Sequence, residues 1–156
     1  MTNLYIYGTG EHACKVIRYA EMLNLKIVGL VDEKINSDFR IKNIPIVLKD
    51  DIISGGNFRK IFVAVGNPTV RSRITAEFVS NNWDIVSLIH PMSYVAKDVI
   101  HGKGVLISAG AIVETNVKLG DGVIVDIGAL VDHDACISDY VHVKPGEVVK
   151  SRETKG

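Results

Sequence analysis

The residues of this sequence best suited to acid–base chemistry are two histidines near its C-terminal end. His133 is followed directly by Asp134, and His142 lies nine residues after His133. A histidine can accept a proton near neutral pH, and an adjacent carboxylate can orient its ring or tune its pKa. A surface position without a role is the simpler interpretation of a lone histidine. For His142 a site role and a packing role fit equally well.

A second group of candidates follows the first strand-like segment of the chain. Gly8 and Gly10 lie in the turn GTGEHA, which ends at Ala13 and precedes an amphipathic segment. Such a turn directs backbone N–H groups of a helix N-terminus at an anion. Asp32 follows Gly8 by 24 residues, where an acid commonly meets a ribose in dinucleotide-binding folds. The glycines could instead serve only to pack a helix closely on a strand.

Three more residues are candidates for the same site. Gly66 and Asn67 follow another apolar strand, and ligands of open parallel sheets bind outside the carboxyl ends of the strands. His12 comes directly after the glycine turn, where it could meet a phosphate or cap its own helix. We favour the site role for His12.

Strands and helices alternate through residues 1–90, which predicts a parallel α/β domain. The predicted strands are Leu4–Tyr7, Lys26–Val31, Ile44–Val47 at an edge, Lys60–Val65 and Ile85–Ile89. One helix begins near Ala13 and another after Asn67 and Pro68, whereas Lys34–Arg40 and Asp50–Phe58 look irregular. This is half of a dinucleotide-binding fold, so a nucleotide or nucleotide-sugar is favoured over NAD.

The stretch from Val95 to Gly146 repeats every six residues. The first position of each block is Val95, His101, Ile107, Val113, Leu119, Val125, Val131, Ile137 and Val143, and all but His101 are aliphatic. The fifth position is apolar and mostly small until Glu147. A hexapeptide repeat is typical of a parallel β-helix, in which the first-position side chains point inward. Nine blocks predict about three coils.

Corners between the sides of the coil are assigned to residues that tolerate positive φ. These are Gly104, Gly110, Gly120, Asp121, Gly122 and Gly128. His101 occupies an inward position, where a structural adjustment of the core is expected. His90, before Pro91, is expected at the boundary between the α/β domain of residues 1–90 and a β-helix domain of residues 91–156.

Composition excludes several classes of function. The chain has 156 residues with 18 basic and 18 acidic side chains, which gives no electrostatic footprint for nucleic acid or an anionic membrane. No apolar run is long enough to span a bilayer and no secretory signal is evident, so a cytoplasmic protein is expected. Cys14 and Cys136 are expected to be reduced and buried. The histidines lack the spacing of a metal site.

The two halves together resemble the NeuD/PglD-type bacterial sugar acyltransferases. The similar segments are GTGEHA at Gly8–Ala13, GLVD at Gly29–Asp32, VAVGNP at Val63–Pro68, IHP at Ile89–Pro91, and VDHDACISDYVHVKPG at Val131–Gly146. The last segment is similar to the catalytic stretch of that family. Its His–Asp pair favours catalysis over the surface interpretation of His133.

The resemblance implies a left-handed β-helix and transfer of an acetyl group from acetyl-CoA to a sugar amine or hydroxyl. The sugar would be carried on a nucleotide, with uridine expected, in surface glycan or polysaccharide precursor synthesis. His133 would be the general base, Asp134 its acidic neighbour, and His142 would lie near the acetyl group of the cofactor. The resemblance also implies a homotrimer with active sites between subunits. The nucleotide-sugar site would be lined by Gly8, Gly10, His12, Asp32, Gly66 and Asn67.

The repeat pattern fades within one block after Gly146, where relatives continue for several coils that hold CoA. A homologue that binds nucleotide-sugar and trimerises without transferring acetyl is therefore the main alternative. A nicotinamide-dependent oxidoreductase is a third hypothesis, which the glycine turn alone suggests.

Overall fold

A computed structural model describes residues 2–34, 44–55 and 58–156. The predicted loop Lys34–Arg40 lies outside these residues except for Lys34. The chain divides into two compact units, Met1–Val86 and Ser87–Gly156. No helix among the described residues is long and apolar enough to cross a membrane.

The first unit is a five-stranded parallel sheet with helices between its strands. In chain order its elements are β1 (Asn3–Tyr7), α1 (Glu11–Met22), β2 (Lys26–Asp32), β3 (Ile46–Leu48), α2 (Lys49–Gly55), β4 (Lys60–Val63), α3 (Pro68–Ser80) and β5 (Asp84–Ile85). The strand order is β3-β2-β1-β4-β5, so β3 is an edge strand, as predicted from Pro45. The parallel α/β architecture predicted from the alternating pattern is confirmed.

Local sequence explains where the two long helices lie. The apolar face of α1 is fully buried against the sheet at Ala13, Val16, Ile17 and Ala20. Helix α3 begins where the Asn67 side chain accepts a hydrogen bond from the Val70 N–H (3.0 Å), with proline in its first turn. Beneath α3, the ring of Phe78 packs edge-on against Tyr7 and Trp83.

Helix α3 exposes an apolar side chain and buries a charged one. Val70 is exposed, whereas Arg71 is buried. The Arg71 guanidinium can be buried because its Nη1 donates to the carbonyl oxygens of Val65 and Gly66, both at 2.8 Å. Arg71 therefore braces the chain segment that follows β4.

Two predictions about the first half were wrong. The segment taken as irregular contains helix α2, which buries one apolar side chain, Ile52. The predicted strand Ile85–Ile89 is two strands: β5 belongs to the first sheet, and β6 (Leu88–Ile89) begins the second unit. Its middle residues, 86 and 87, lie on either side of the division between the units.

The second unit is a left-handed parallel β-helix of two-residue strands. After β6 come β7 (Tyr94–Val95), β8 (Ile100–His101), β9 (Leu106–Ile107), β10 (Ile112–Val113), β11 (Lys118–Leu119), β12 (Ile124–Val125), β13 (Leu130–Val131), β14 (Cys136–Ile137), β15 (His142–Val143), β16 (Val148–Val149) and β17 (Thr154–Lys155). They form three sheets of four strands: the β6 sheet (β6, β9, β12, β15), the β7 sheet (β7, β10, β13, β16) and the β8 sheet (β8, β11, β14, β17). The described residues thus form four coils, more than the three predicted.

The six-residue repeat extends beyond the predicted limits at both ends. Ile89 packs against the core one block earlier, and Val149 is fully buried one block later. The aliphatic pattern does fade, since Lys155 follows Val149 at the next first position, but the strand pairing continues through β16 and β17.

The inward positions form one core, with one exception. The aliphatic first-position residues from Ile107 to Val143 are nearly or fully buried. His101 was predicted to point inward and is exposed. It lies on β8, the edge strand of its sheet, where no earlier coil covers it.

Corner residues with positive φ recur every six residues. They are Gly104, Gly110, Asn116, Gly122, Gly128, Asp134, Tyr140, Gly146 and Arg152. Gly120 and Asp121, also predicted as corners, do not have positive φ. Gly120 is required by space, since a Cβ there would lie 2.7 Å from the backbone nitrogen of Asp139 in the next coil.

Candidate functional site

The predicted His–Asp pair lies in the turn between β13 and β14, at the corner between the β7 sheet and the β8 sheet. His133 Nδ1 is 2.8 Å from Asp134 Oδ2, and the two side chains are 45% and 36% exposed. An ionised carboxylate only accepts hydrogen bonds, so Nδ1 carries the proton of the neutral ring. Nε2 then holds the lone pair, which makes it the atom able to accept a proton from a substrate.

Asp134 is fixed by the coils on either side of it. Its Oδ1 accepts a hydrogen bond from Asn116 Nδ2 (3.1 Å), and its Oδ2 lies 4.0 Å from Arg152 Nε. The hydrogen bond from His133, and then the one from Asn116, hold the pKa of the Asp134 carboxyl below its usual value. Asp134 is therefore ionised at neutral pH. Sequence reasoning missed Asn116, although its distance of 18 residues from Asp134 equals three blocks of the repeat.

His142 takes part in a second histidine–aspartate contact. Its Nε2 lies 3.0 Å from Asp126 Oδ2, and its Nδ1 lies 3.2 Å from Lys144 Nζ. The carboxylate requires a donor, so Nε2 carries the proton and Nδ1 accepts from the ammonium group. Asp126, which is largely buried, also accepts hydrogen bonds from Ser108 Oγ (3.3 Å) and from the backbone N–H of Ile127 (2.8 Å). No local motif of the sequence pointed to Asp126.

The structure does not bring His133 and His142 together within one chain. His133 lies in the corner that follows β13, whereas His142 lies on β15, in the β6 sheet. In the triangular coil the β6 sheet lies opposite the corner between the β7 and β8 sheets, so one of those two sheets lies between the histidines in either direction. The spacing of nine residues therefore does not bring the two histidines to one side of a single chain.

The predicted residues of the first unit do converge on one cavity of about 420 Å³. It lies at the carboxyl ends of β1, β2 and β4. Its lining includes Gly8, Gly10, His12, Asp32 and Gly66. Asn67, predicted for the same site, is adjacent in sequence to Gly66, and its side chain caps α3.

Two glycines shape this cavity in different ways. Gly8 has a φ of 111°, and a Cβ there would lie 3.0 Å from the carbonyl oxygen of Ala64, so the turn requires glycine. Gly10 is the N-cap residue of α1, with an ordinary φ of −87°. Apart from its chain neighbours, no atom of the described residues lies within 4 Å of a Cβ added at Gly10, so the space above it is open.

Several polar side chains of the cavity are connected by hydrogen bonds and charge contacts, and only Asp32 among these was predicted from the sequence. Asp32 Oδ2 accepts a hydrogen bond from Thr9 Oγ1 (2.6 Å), and Oδ1 accepts one from the backbone N–H of Glu33 (2.7 Å). Glu33 in turn lies 3.4 Å from Arg73 Nη2. Burial, with the Glu33 and Asp32 carboxylates, raises the pKa of Tyr7. The hydroxyl therefore stays protonated at neutral pH and can donate a hydrogen bond.

The remaining candidates have no place in either site. His90 is buried, and its Nδ1 accepts a hydrogen bond from the backbone N–H of Met92 (3.0 Å). Cys14 and Cys136 are free thiols, but the expectation that both are buried was wrong: Cys14 is exposed and Cys136 half-buried. Among the described residues, no group of three or more His, Cys, Asp or Glu side chains could hold a metal ion.

One comparison with known proteins matches the first unit, and the similar solved structures match nearly the whole chain. The family model of the PglD N-terminal domain matches residues 3–78. The acetyltransferase domain of PglB from Neisseria gonorrhoeae FA1090, solved in complex with acetyl coenzyme A, is 30% identical. The similarity covers 94% of this chain and 72% of that chain, with a TM-score of 0.83. No match was found among curated proteins.

Two further structures are similar over the same extent. PerB from Caulobacter crescentus, in complex with CoA and GDP-perosamine, is 26% identical over 95% of this chain and 71% of that chain, with a TM-score of 0.86. WeeI from Acinetobacter baumannii AYE is 18% identical over 95% and 72%, with a TM-score of 0.83, and at that identity shows the fold alone.

The fold defines the class of protein as an α/β domain joined to a hexapeptide β-helix. Identity and coverage then define the family. The chain belongs to the NeuD/PglD-type bacterial sugar acyltransferases, as the sequence resemblance predicted.

Proposed function

We propose that this protein transfers an acetyl group from acetyl-CoA to an amine or hydroxyl of a nucleotide-linked sugar, in the synthesis of surface glycan or polysaccharide precursors. The observation that carries the proposal is the His133–Asp134 pair. Its geometry leaves the lone pair on Nε2 of a half-exposed ring. Membership of the family, and the acetyl coenzyme A complex of the PglB domain, support this reaction class.

The chemistry requires one base and no covalent enzyme intermediate. His133 Nε2 accepts the proton of the acceptor amine or hydroxyl as its nitrogen or oxygen attacks the thioester carbonyl carbon. The tetrahedral intermediate then collapses, the C–S bond breaks, and the CoA sulfur takes the proton from the imidazolium. Asp134, which is ionised, stabilises the imidazolium between these two steps.

The nucleotide-sugar is assigned to the cavity of the first unit. The backbone N–H groups after Gly10 suit a phosphate, because no side chain in the described part of the chain caps the N-terminus of α1. Asp32 retains acceptor capacity for a ribose or base. Gly8, His12, Gly66 and Asn67 complete the proposed lining. Uridine is the predicted base, whereas the PerB structure carries GDP-perosamine, so both bases belong in the test.

Acetyl-CoA is the proposed acyl donor, and His142 is assigned to its acetyl end. Because His133 and His142 lie on different sides of the β-helix, the proposed site needs two copies of the chain. A homotrimer with the sites between neighbouring β-helices meets this requirement. The cytoplasmic location predicted from the sequence stays a prediction.

The deciding experiment measures release of the CoA thiol by the purified protein with a panel of UDP- and GDP-linked amino sugars. We expect release that requires both acetyl-CoA and one acceptor, with the acetylated sugar identified by mass spectrometry. The position of the acetyl group distinguishes amine from hydroxyl transfer. Nucleotide-sugar binding without release would instead support the non-catalytic alternative. Hydride transfer with NAD would support the oxidoreductase.

A further inference from the structure

We propose that Asn116 is a positioning residue for the proposed acetyl transfer, acting through Asp134 to hold His133 in its reactive orientation. The inference rests on the proposed function for its kinetic consequences, but the underlying contacts are independent of it. Asn116 lies one coil before Asp134 and is not part of the turn that carries His133.

The geometry gives each oxygen of the Asp134 carboxylate a separate partner. Oδ1 accepts from Asn116 Nδ2 at 3.1 Å, and Oδ2 accepts from His133 Nδ1 at 2.8 Å. One hydrogen bond alone would leave the carboxylate free to rotate about its χ2 torsion, which is broad. The bond to Asn116 opposes that rotation, and the imidazole that depends on Oδ2 is fixed with it.

Asn116 is itself anchored by the first coil. Asp98 Oδ2 accepts hydrogen bonds from the backbone N–H of Asn116 (3.1 Å) and from the hydroxyl of Thr115. Asn116 and Asp134 also share nearly the same backbone conformation, with φ of 60° and 61°. Equivalent residues of successive parallel strands lie about 4.8 Å apart, so a short side chain at 116 reaches the carboxylate.

The chemistry of an amide suits this position. A lysine or arginine at 116 would pair with Asp134 and compete with His133 for the carboxylate. An aspartate would repel both Asp134 and Asp98. Asparagine supplies a donor without charge, and it is among the residues that adopt positive φ most readily. The charged and titratable groups around Asp134 are then His133, Arg152 and Asp98.

The kinetic test is a double-mutant cycle between Asn116→Gly and Asp134→Gly. Glycine accepts the left-handed conformation at both positions, so the backbone is preserved. We expect Asn116→Gly to lower kcat about tenfold, with the KM of the acceptor unchanged, if the residue acts only on orientation. The same change in the Asp134→Gly background should have no further effect, because the contact has already gone. Additive effects would overturn the proposal.

A matched control separates positioning from general stability. Asn82 is also an exposed asparagine with a φ of 61°, in the first unit after α3. Asn82→Gly makes the same chemical change at a site that the reaction does not use, and we expect an unchanged kcat. Equal losses in Asn82→Gly and Asn116→Gly would contradict a positioning role.

A spectroscopic readout tests the inference without any activity. In the protein labelled with ¹⁵N-histidine, the His133 ring, assigned with His133→Ala, should show the tautomer protonated at Nδ1. We expect Asn116→Gly to reduce the population of that tautomer, while Asn82→Gly leaves it unchanged. An unchanged His133 signal in Asn116→Gly would overturn the inference, even if acetyl transfer is confirmed. Failure of acetyl transfer with a changed signal would contradict only the proposed function.

Discussion

Asp134 has a backbone conformation that most corners of this β-helix assign to glycine. Its φ is 61°, and five of the nine equivalent corners are glycines. A left-handed conformation costs a residue with a Cβ about 1 kcal/mol. Two hydrogen bonds offset this cost, because the Asp134 carboxylate accepts one from His133 and one from Asn116. The strained corner is thus where the proposed chemistry lies.

Replacing His133 by alanine tests the base directly. We expect His133→Ala to lower turnover about 10²-fold or more, because a general base commonly contributes that much. Nucleotide-sugar binding should be unchanged, since the cavity of the first unit does not include His133. Steady-state kinetics and calorimetry measure the two quantities. Asp134→Asn should cost less than His133→Ala, and wild-type turnover in His133→Ala would exclude the base.

The pH dependence of the rate follows from the same pair. The hydrogen bonds of Asp134 lower the pKa of its carboxyl, so it stays ionised through the range in which histidines titrate. A rise of kcat/KM with pH in that range therefore does not come from the Asp134 carboxyl, and we expect it to disappear when the proposed base is removed in His133→Ala. A rise that persists in that variant would assign the titration to another group.

The sequence could predict His133–Asp134 because the two partners are adjacent, and their contact needs no knowledge of the fold. Asn116 and Asp126 were missed because their contacts depend on stacking between coils. Asp134 meets Asn116 at a separation of one full coil, and His142 meets Asp126 at 16 residues. Neither separation forms a local motif in the sequence. The separation of Asn116 and Asp134, however, is a multiple of the six-residue repeat.

At the scale of elements, periodicity predicted more than local composition did. The aliphatic repeat predicted the β-helix, because one side chain of each six-residue block must enter a common core. The first strand of the β-helix, β6, was missed because Leu88–Ile89 was taken as the end of the strand that begins in β5. Helix α2 was missed because a short helix that buries only one side chain, Ile52, shows little hydrophobic periodicity in its sequence.

Corner glycines of the β-helix should differ in how much they tolerate a side chain. Gly122 and Gly128 have similar φ of 61° and 65°. A Cβ at Gly122 would lie 2.5 Å from Cε1 of the Tyr140 ring, whereas a Cβ at Gly128 would have no atom within 4 Å among the described residues beyond its chain neighbours. We expect Gly128→Ala to cost about 1 kcal/mol of unfolding free energy from strain and Gly122→Ala about 2–3 kcal/mol. Denaturant unfolding compares the two, and equal losses would show that the tyrosine ring moves freely.

The glycine turn before α1 offers a test of the cavity. Because the space around a Cβ at Gly10 is open, Gly10→Trp should fold and fill part of the cavity. We expect at least a tenfold loss of affinity for the nucleotide-sugar, measured by calorimetry, with the oligomeric state unchanged. Gly55→Trp is the matched control, since Gly55 also has open space and lies outside the cavity lining. Unchanged affinity in Gly10→Trp would place the ligand elsewhere.

At the scale of the whole molecule, the two histidines decide what a single chain can do. The corner of His133 lies opposite the β6 sheet, which carries the strand of His142, and either the β7 sheet or the β8 sheet lies between them. On its outer side, the β7 sheet carries a column of apolar residues in register, with Tyr94 opposite Ile112 and Leu130 opposite Val148. Tyr94, Ile112 and Val148 are exposed. A lone chain can therefore hold each histidine but cannot combine them.

Assembly and shared sites can be tested with one pair of variants. Light scattering should give a mass about three times 17.0 kDa for the wild type, as expected for a closed trimer.

If one subunit supplies His133 and its neighbour supplies His142, His133→Ala and His142→Ala should each be impaired when pure. Coexpression should restore activity, because in random trimers about a quarter of the interfaces combine an intact His133 with an intact His142. The control mixes the two purified variants under conditions in which the trimers do not exchange subunits, and this mixture should show no recovery of activity. Mixed trimers no more active than the average of the two pure variants would show that one chain contains the whole centre, or that His142 has no part in it. The activity of pure His142→Ala distinguishes these two outcomes, since it stays at the wild-type level only in the second.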